Sequence, residues 1–324
     1  LAALGELSLT RKPDVKALSV ADFVTLTTET GTLTLESTAA AVEIADDVTI
    51  VADPGEKAAV ALLAATTVTA PIVLKAQGDI TIESPDGYAV TKSMLSKLGS
   101  IAITTSAGPL TSITSPVTAG QNITLEAAGP LTIDNQLKAE NGGINLKSTG
   151  ADVSIAGTAT LLAADAAAGT LTIDAGTSIA LGIPVEVGND ITLTANASFV
   201  PSFDITSTNG SLSATVTTGS LDVSGITIST TGGTPPDYGS VLLSALAGTL
   251  TIDRSAINVN PSYGNLTLVG GTLVGFGGGA YTIGGSLSVQ AGSPVVPAAG
   301  EDLESTNGNI SIRSTAGDVD VADI

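Results

Sequence analysis

The sequence predicts an all-β fold, a parallel β-helix (solenoid) of roughly 14 coils with about 21–25 residues per coil. Three observations predict it. A short segment that joins a glycine turn to alternating apolar and polar residues recurs along the whole chain. Strong copies of this segment begin at fairly regular intervals, and the composition is that of a thin aliphatic core.

The recurring segment is clearest at residues 169–174, which read GTLTID. Residues 248–253 repeat it without change, and residues 129–134 differ only by a proline. Glycine tolerates the positive φ of a turn, and threonine suits an outward strand position because it is β-branched and polar. Looser copies begin at Gly31, Gly78, Gly188, Gly264 and Gly308. Since apolar and polar residues alternate in each copy, each one predicts a half-buried strand.

The strongest copies set the length of a coil. They begin at Gly78, Gly99, Gly120, Gly143, Gly188, Gly210, Gly239, Gly264, Gly285 and Gly308. Secondary copies follow about nine residues later, so each coil holds two short strands and a third, less regular segment. Ordering one coil costs more conformational entropy than its few inward side chains return, so we expect coils to be stable only as a stack.

The composition favours a narrow interior. Aromatic residues are 2% of the 324 residues, and tryptophan is absent from the sequence. A wide interior is normally filled in part by aromatic rings, whereas leucine, isoleucine, valine and alanine suffice for a narrow one. A thin solenoid is therefore favoured over a β-sandwich.

We expect a single β-helical rod over residues 1–324, with irregular insertions near residues 54–66, 85–98, 199–237 and 293–303. The strand pattern runs to both ends of the sequence without an amphipathic capping helix. Solenoids need polar caps because their terminal strands expose unpaired backbone. Two hypotheses follow: the sequence is a segment of a longer chain, or the ends stack on other copies.

Two of the insertions favour a short helix, with irregular coil as the alternative. Residues 57–65 are rich in alanine and leucine. Residues 88–98 place Val90, Met94, Leu95 and Leu98 at helical spacing.

Residue usage excludes several functional classes. The sequence contains neither cysteine nor histidine, which excludes disulfides, thiolate or imidazole metal sites, and the Cys–His and Ser–His–Asp catalytic systems. With 31 acidic and 11 basic residues, the formal charge of −20 disfavours nucleic acid and anionic membranes as partners. The sequence has no uninterrupted apolar stretch of about 18 residues, so it predicts no transmembrane helix.

Carboxylates that follow equivalent strands are weak candidates for a calcium ladder. These candidates are Glu83, Glu126, Asp134, Asp174 and Asp253, together with Glu36. Stacked carboxylates repel each other at strand spacing unless a hard cation bridges them. The alternative is that they point into water at staggered corners, in which case the protein uses no cofactor.

The sequence gives little support to an enzyme or to an ice-binding protein. Only three arginines are present, and neighbouring strand residues such as Asp253 and Arg254 point to opposite faces, so we predict no catalytic residues. Thr-x-Thr pairs do not recur once per coil, so they predict no flat ice-binding face. These pairs are Thr25/Thr27, Thr32/Thr34, Thr67/Thr69, Thr192/Thr194 and Thr215/Thr217.

The Gly-[Asn/Asp/Thr]-Ile/Leu-Thr-Leu/Ile segments and their close variants resemble the repeats of filamentous-haemagglutinin-like adhesins and of autotransporter passenger rods. These segments begin at Gly78, Gly120, Gly169, Gly188, Gly248 and Gly308. The resemblance implies a right-handed parallel β-helix exported to the bacterial cell surface. We therefore predict a structural extracellular protein that is not an enzyme, acting as an adhesin stalk or filament subunit. Its expected partners are further repeats or copies at the ends, and surface glycans or proteins. The alternative is a carbohydrate-binding or pectin-lyase-like β-helix.

Overall fold

The computed structural model describes residues 2–3, 6–11, 17–20, 24–53, 58–163, 169–232, 239–252, 256–259, 262–275, 280–292, 304–316 and 319. These residues form parallel strands joined by turns, and none of them is helical. The chain divides into two compact units, Leu1–Ala164 and Asp165–Ile324. Each unit is a parallel β-solenoid, which confirms the predicted fold class; the right-handed sense stays a prediction.

The described residues of the first unit form 22 strands. In chain order they are β1 (Ala2–Ala3), β2 (Leu7–Arg11), β3 (Leu18–Val20), β4 (Thr25–Thr28), β5 (Thr32–Ser37), β6 (Val42–Ile44), β7 (Thr49–Ala52), β8 (Ala59–Ala64), β9 (Val68–Thr69), β10 (Leu74–Ala76), β11 (Ile80–Glu83), β12 (Tyr88–Ala89), β13 (Met94–Ser96), β14 (Ile101–Thr105), β15 (Leu110–Ile113), β16 (Val117–Ala119), β17 (Ile123–Ala127), β18 (Leu131–Ile133), β19 (Gln136–Ala139), β20 (Ile144–Ser148), β21 (Val153–Ile155) and β22 (Thr160–Ala163).

Successive strands of the first unit pass to different sheets, and every third strand returns to the same one. Sheet I has the order β1-β4-β7-β10-β13-β16-β19-β22, and sheet II has β2-β5-β8-β11-β14-β17-β20. The remaining side is split into sheet III, β3-β6-β9, and sheet IV, β12-β15-β18-β21. The first unit therefore has three sides, one of which is interrupted.

In the second unit, 18 strands are formed by the residues that the structure describes. In chain order they are β23 (Leu171–Ala175), β24 (Ser178–Leu181), β25 (Val185–Val187), β26 (Ile191–Ala195), β27 (Ser198–Phe199), β28 (Ile205–Ser207), β29 (Leu212–Val216), β30 (Ser220–Asp222), β31 (Thr227–Thr230), β32 (Val241–Ala245), β33 (Leu250–Thr251), β34 (Ala256–Val259), β35 (Leu266–Gly270), β36 (Val274–Gly275), β37 (Ala280–Ile283), β38 (Leu287–Ala291), β39 (Glu304–Ser305) and β40 (Ile310–Ser314).

The second unit repeats the three-sided arrangement. Sheet V has the order β23-β26-β29-β32-β35-β38-β40, sheet VI has β24-β27-β30-β33-β36, and sheet VII has β25-β28-β31-β34-β37-β39. All the described pairings in this unit are parallel, and each pairs one turn with the next.

The described strands of the two units make up about 11 turns, fewer than the roughly 14 predicted. Turn length varies from 20 residues, between the paired Val60 and Ile80, to 29, between Leu212 and Val241. This range is wider than the predicted 21–25 residues because the corners accept insertions.

The core is narrow and aliphatic, as the composition predicts. In register, Ile80, Ile101, Ile123 and Ile144 stack on one another in sheet II, and each is 0–1% exposed. Successive side chains of a strand point to opposite faces, so the intervening residues lie outside. Phe199 is the one aromatic ring among the largest fully buried side chains of the described residues.

The helical interpretation of two insertions is wrong. Residues 59–64 form β8, with alternating buried and half-buried residues, and Met94 of β13 pairs with Leu74 and Val117. A spacing of four residues fits a strand as well as a helix, so Val90 and Met94 were ambiguous in sequence. The insertion near 199–237 includes strands β28 to β31, whereas residues 293–303 lie outside the described part; the single rod over 1–324 stays a prediction.

Candidate functional site

A ladder of polar side chains follows one corner of each unit, at the residue just before several successive strands of sheets II and V. Each side-chain oxygen accepts the backbone N–H of the equivalent residue one turn later. In the second unit the donor–acceptor pairs are Ser211 to Asp190 (2.8 Å), Ser240 to Ser211 (3.1 Å), Asn265 to Ser240 (3.1 Å), Ser286 to Asn265 (2.7 Å) and Asn309 to Ser286 (3.2 Å). We call this set the corner ladder.

The first unit carries the same feature over a shorter stretch. Ser100 N–H donates to Asp79 Oδ1 at 2.7 Å, Asn122 N–H to Ser100 Oγ at 3.3 Å, and Gly143 N–H to Asn122 Oδ1 at 2.9 Å. Short polar side chains that bond to nearby backbone are favoured in turns. The ladder therefore connects successive turns where the strand hydrogen bonds stop.

Buried hydroxyl groups close the same corner, a few residues before the ladder residues. Ser96 Oγ donates to the Gly78 carbonyl at 2.7 Å and accepts the N–H of Gly99 at 3.1 Å. Ser207 makes the same pair of bonds with the Asn189 carbonyl and the N–H of Gly210, at 2.8 and 3.0 Å. Each hydroxyl thus satisfies two backbone groups that would otherwise be buried without partners.

We call these turns, closed by a buried serine or threonine hydroxyl, the hydroxyl turns. Sequence reasoning missed them, although the sequence contains a signal for them. A serine or threonine stands three residues before a turn glycine in Thr28–Gly31, Ser96–Gly99, Ser207–Gly210 and Ser305–Gly308. The glycine is required because of close stacking: a Cβ on Gly99 would lie 2.5 Å from the carbonyl carbon of Gly78.

The structure does not bring the candidate calcium ligands together in sheet II. Glu83 pairs in register with Thr104, which pairs with Glu126 on its other side. The two carboxylates are thus two turns apart, about 10 Å at the normal strand spacing. Glu126 forms an ion pair with Lys147 of the next turn at 3.1 Å. In this column of residues stacked from turn to turn, carboxylates therefore alternate with neutral or basic residues.

The other candidates lie elsewhere. Glu36 pairs with Thr10 and Leu63, Asp134 follows β18 of sheet IV, and Asp174 of sheet V pairs with Thr194. Asp253 lies outside the described residues, as does Arg254. Within the described part of the chain, no group of three acidic side chains is placed to hold a metal ion. Calcium binding stays a prediction.

The Thr-x-Thr pairs also occupy separate faces. Thr25 and Thr27 belong to sheet I, whereas Thr32 and Thr34 belong to β5 of sheet II. In sheet V, Thr192 and Thr194 pair with Ser213 and Thr215, but the next turn presents Leu242 and a buried Ser244. An unbroken threonine face is thus absent from these described strands.

A cleft of about 440 Å³ opens in the first unit where sheet III ends and sheet IV begins. At this point the hydroxyl of the buried Ser84 takes the place of a direct strand-to-strand bond. It accepts the N–H of Val68 in β9 at 2.8 Å and donates to the carbonyl of Gly87, just before β12. Ser84 therefore holds the two strands apart as a wedge.

The cleft is lined by hydroxyl groups, one carboxylate and two prolines. Its polar side chains are Thr67, Thr69, Asp86, Thr91 and Thr111, and its prolines are Pro71 and Pro109. Tyr88 forms part of the wall, but its side chain is 5% exposed and its phenol oxygen has no hydrogen-bond partner. Burial raises the pKa of the Tyr88 phenol, so it stays protonated. The cleft thus offers polar contacts to a small neutral molecule.

A network of charged and polar side chains spans three turns of the first unit. Asp53 accepts hydrogen bonds from Gln77 Nε2 at 2.6 Å and from Lys97 Nζ at 3.0 Å. These two hydrogen bonds lower the pKa of Asp53 below its ordinary value of 3.8. Because the Asp53 carboxylate is exposed, these contacts hold the conformation of the corner but add little to the stability of the fold.

The described residues include no helix that is long and apolar enough to span a membrane. A scan against protein-family models and searches of curated proteins and of solved structures found no match to this chain.

Proposed function

We propose that this chain is a structural protein of the bacterial cell surface or extracellular space, a β-helical segment that serves as an adhesin stalk or as the subunit of a fibre. One observation carries the proposal: hydrogen bonds repeat from turn to turn in the strands, the corner ladder and the hydroxyl turns. A stack of this kind is stiff because every turn is bonded to the next along its sides and corners.

The surface supports the same function. The formal charge of −20 opposes lateral association between copies, because like charges repel at the surface. A stalk or fibre subunit needs this property, since exposed strand edges otherwise promote aggregation. The resemblance to filamentous-haemagglutinin-like repeats points to the same location outside the cell.

The last strand of sheet V suggests how copies associate. Ile310 of β40 is 45% exposed, whereas Leu287, its partner in β38, is 1% exposed. Asn309, at this end of the corner ladder, is exposed as well. A further turn placed on β40, from a second copy or from further repeats, would cover Ile310 and continue the ladder.

Electron microscopy and sedimentation at increasing protein concentration test the association. We expect axial assemblies whose length grows with concentration, and we expect Ile310→Glu to shorten them. Leu246→Glu is the matched control, because Leu246 is 55% exposed and lies at a corner after β32. Monodisperse short particles at every concentration would refute end-to-end stacking.

The cleft beside Ser84 favours carbohydrate binding as a second candidate function. Threonine hydroxyls both donate and accept hydrogen bonds, and a carboxylate accepts bonds from vicinal sugar hydroxyls. The absence of Lys and Arg from the described lining disfavours anionic ligands. A volume of about 440 Å³ lies within the usual range for small-molecule sites.

Calorimetric titration with neutral oligosaccharides tests this second function. We expect Asp86→Asn and Thr111→Val to weaken binding several-fold each. Asp46→Asn is the matched control, because Asp46 is an exposed carboxylate outside the cleft. Heat changes that are identical in all four proteins would show that the cleft is not a sugar site.

A further inference from the structure

The chain contains three Asn-Gly dipeptides, Asn141-Gly142, Asn209-Gly210 and Asn307-Gly308. All three asparagines are exposed and lie at corners just before a strand of sheet II or V. In such a dipeptide the glycine backbone nitrogen can attack the asparagine side chain, because glycine has no Cβ to obstruct the approach. The three sites therefore share the reactive pair, and their surroundings decide which one reacts.

The surroundings of the attacking nitrogen differ. The N–H of Gly210 donates to the buried hydroxyl of Ser207 at 3.0 Å, and the N–H of Gly308 donates to Ser305 at 3.1 Å. The residue three positions before Gly142 is Ala139, the last residue of β19, which has no hydroxyl. Among the described residues, Gly142 N–H has no hydrogen-bond partner.

The hydrogen bonds of the asparagine side chains do not distinguish the three sites. Asn141 Nδ2 donates to the Gly120 carbonyl at 2.9 Å, and Asn307 Nδ2 donates to the Ser262 carbonyl at 2.8 Å. Asn209 Nδ2 lies 3.5 Å from Thr208 Oγ1. Since the amide group of each asparagine has a partner, the main distinction lies in the glycine N–H.

We infer that Asn141 is a site of spontaneous, intramolecular deamidation, and that the hydroxyl turns protect Asn209 and Asn307 from the same reaction. The Gly142 nitrogen loses its proton and bonds to Cγ of Asn141, and the Cγ–Nδ2 bond breaks with release of ammonia. Water then opens the resulting succinimide to aspartate or isoaspartate. The step needs no enzyme and no co-reactant except water.

The product would alter the first unit locally. Isoaspartate adds a methylene group to the main chain and leaves a new carboxylate beside Gly142. Gly143, the next residue, donates to Asn122 Oδ1 in the corner ladder at 2.9 Å. We therefore expect the modification to displace Gly143 from the ladder and to make an acidic surface more acidic.

The test is incubation of the folded protein at mildly alkaline pH, followed by peptide mapping with mass spectrometry and enzymatic labelling of isoaspartate. We expect Asn141 to react several-fold faster than Asn209 and Asn307. The same chain unfolded in urea is the reference, in which the three rates should converge because the fold no longer distinguishes them. Equal rates in the folded protein, or a faster reaction at Asn209 or Asn307, would overturn the inference.

A pair of variants tests the protecting hydroxyl. Ser207→Ala frees the N–H of Gly210 and should raise the rate at Asn209 several-fold, with no change at Asn307. Ser207→Thr keeps a hydroxyl, as Thr28 does in its own turn, and should retain the slow rate. If Ser207→Ala disturbs the fold, Ser305→Ala repeats the test at Asn307. An unchanged rate in folded Ser207→Ala would contradict the role of the hydroxyl.

Discussion

The two units share one architecture but differ in charge. The first has 17 acidic and nine basic residues, and the second has 14 acidic and two basic residues. All three ion pairs found among the described residues belong to the first unit: Lys97–Asp53, Lys138–Glu140 and Lys147–Glu126. The parallel stack forms in both units, so ion pairs are not what holds successive turns together.

The outer faces of sheets II and V show the same difference. In sheet II, four of the seven strands carry a charged residue on the outer face, whereas β26, β29, β32, β35 and β38 of sheet V contain none. Both sheets keep the same inward pattern and the same corner ladder. The shared features, core packing and backbone-directed hydrogen bonds, are therefore the ones that specify the fold.

The largest expected effect on stability comes from core substitutions, and we expect it to be equal in the two units. Ile103→Ala and Leu193→Ala each remove a side chain that is 0–1% exposed in the central position of its strand. We expect each to lower the free energy of unfolding by about 2–5 kcal/mol, because both leave a cavity in a narrow core. Urea denaturation measures the loss.

The matched controls are the outward neighbours Thr104→Ala and Thr194→Ala, for which we expect changes within about 0.5 kcal/mol. A large loss in only one unit would mean that the two cores are not equivalent.

The alternating inward residues made the β-solenoid predictable from sequence, because they repeat in every turn. The strand register was not predictable, since turn length varies between 20 and 29 residues and the corners absorb the difference. Glu83 and Glu126 therefore seemed equivalent in sequence, yet Thr104 separates them. The sequence pattern shows which residues can stack in the same column of side chains. Their order within that column follows only when every intervening turn has been identified.

The corner hydroxyls give the next largest effect. Ser96→Ala and Ser207→Ala each leave a glycine N–H and a carbonyl without their partner. We expect a loss of about 1–3 kcal/mol in either unit, because buried polar groups without partners are costly. Thermal or urea unfolding measures it.

Ser96→Thr should retain most of the stability, because Thr28 occupies an equivalent place. If Ser96→Ala were as stable as the wild type, the hydroxyl turn would be a consequence of the fold and not one of its determinants.

Two buried tyrosines should respond in opposite directions. The Tyr88 hydroxyl of the first unit is buried without a partner, whereas that of Tyr281 in the second unit donates to the Ile252 carbonyl at 3.3 Å. We expect Tyr88→Phe to raise the free energy of unfolding by roughly 1 kcal/mol and Tyr281→Phe to lower it by a similar amount. The pair is its own control, since both variants delete one oxygen from a buried ring. Destabilisation by Tyr88→Phe would show that its hydroxyl has a partner in solution.

The smallest expected effect concerns Asp53, whose contacts with Gln77 and Lys97 lower its pKa. A carboxyl group whose pKa is depressed by folding adds stability above its unfolded pKa, and this contribution disappears as the pH falls through the folded pKa. Asp53→Asn should therefore be slightly less stable than the wild type at neutral pH, and the difference should vanish once Asp53 is protonated. Added salt should also reduce it, because the group is exposed. Urea midpoints of both proteins across this pH range measure the effect. A difference that persists or grows at low pH would show that Asp53 acts through its hydrogen bonds with Gln77 and not through its charge.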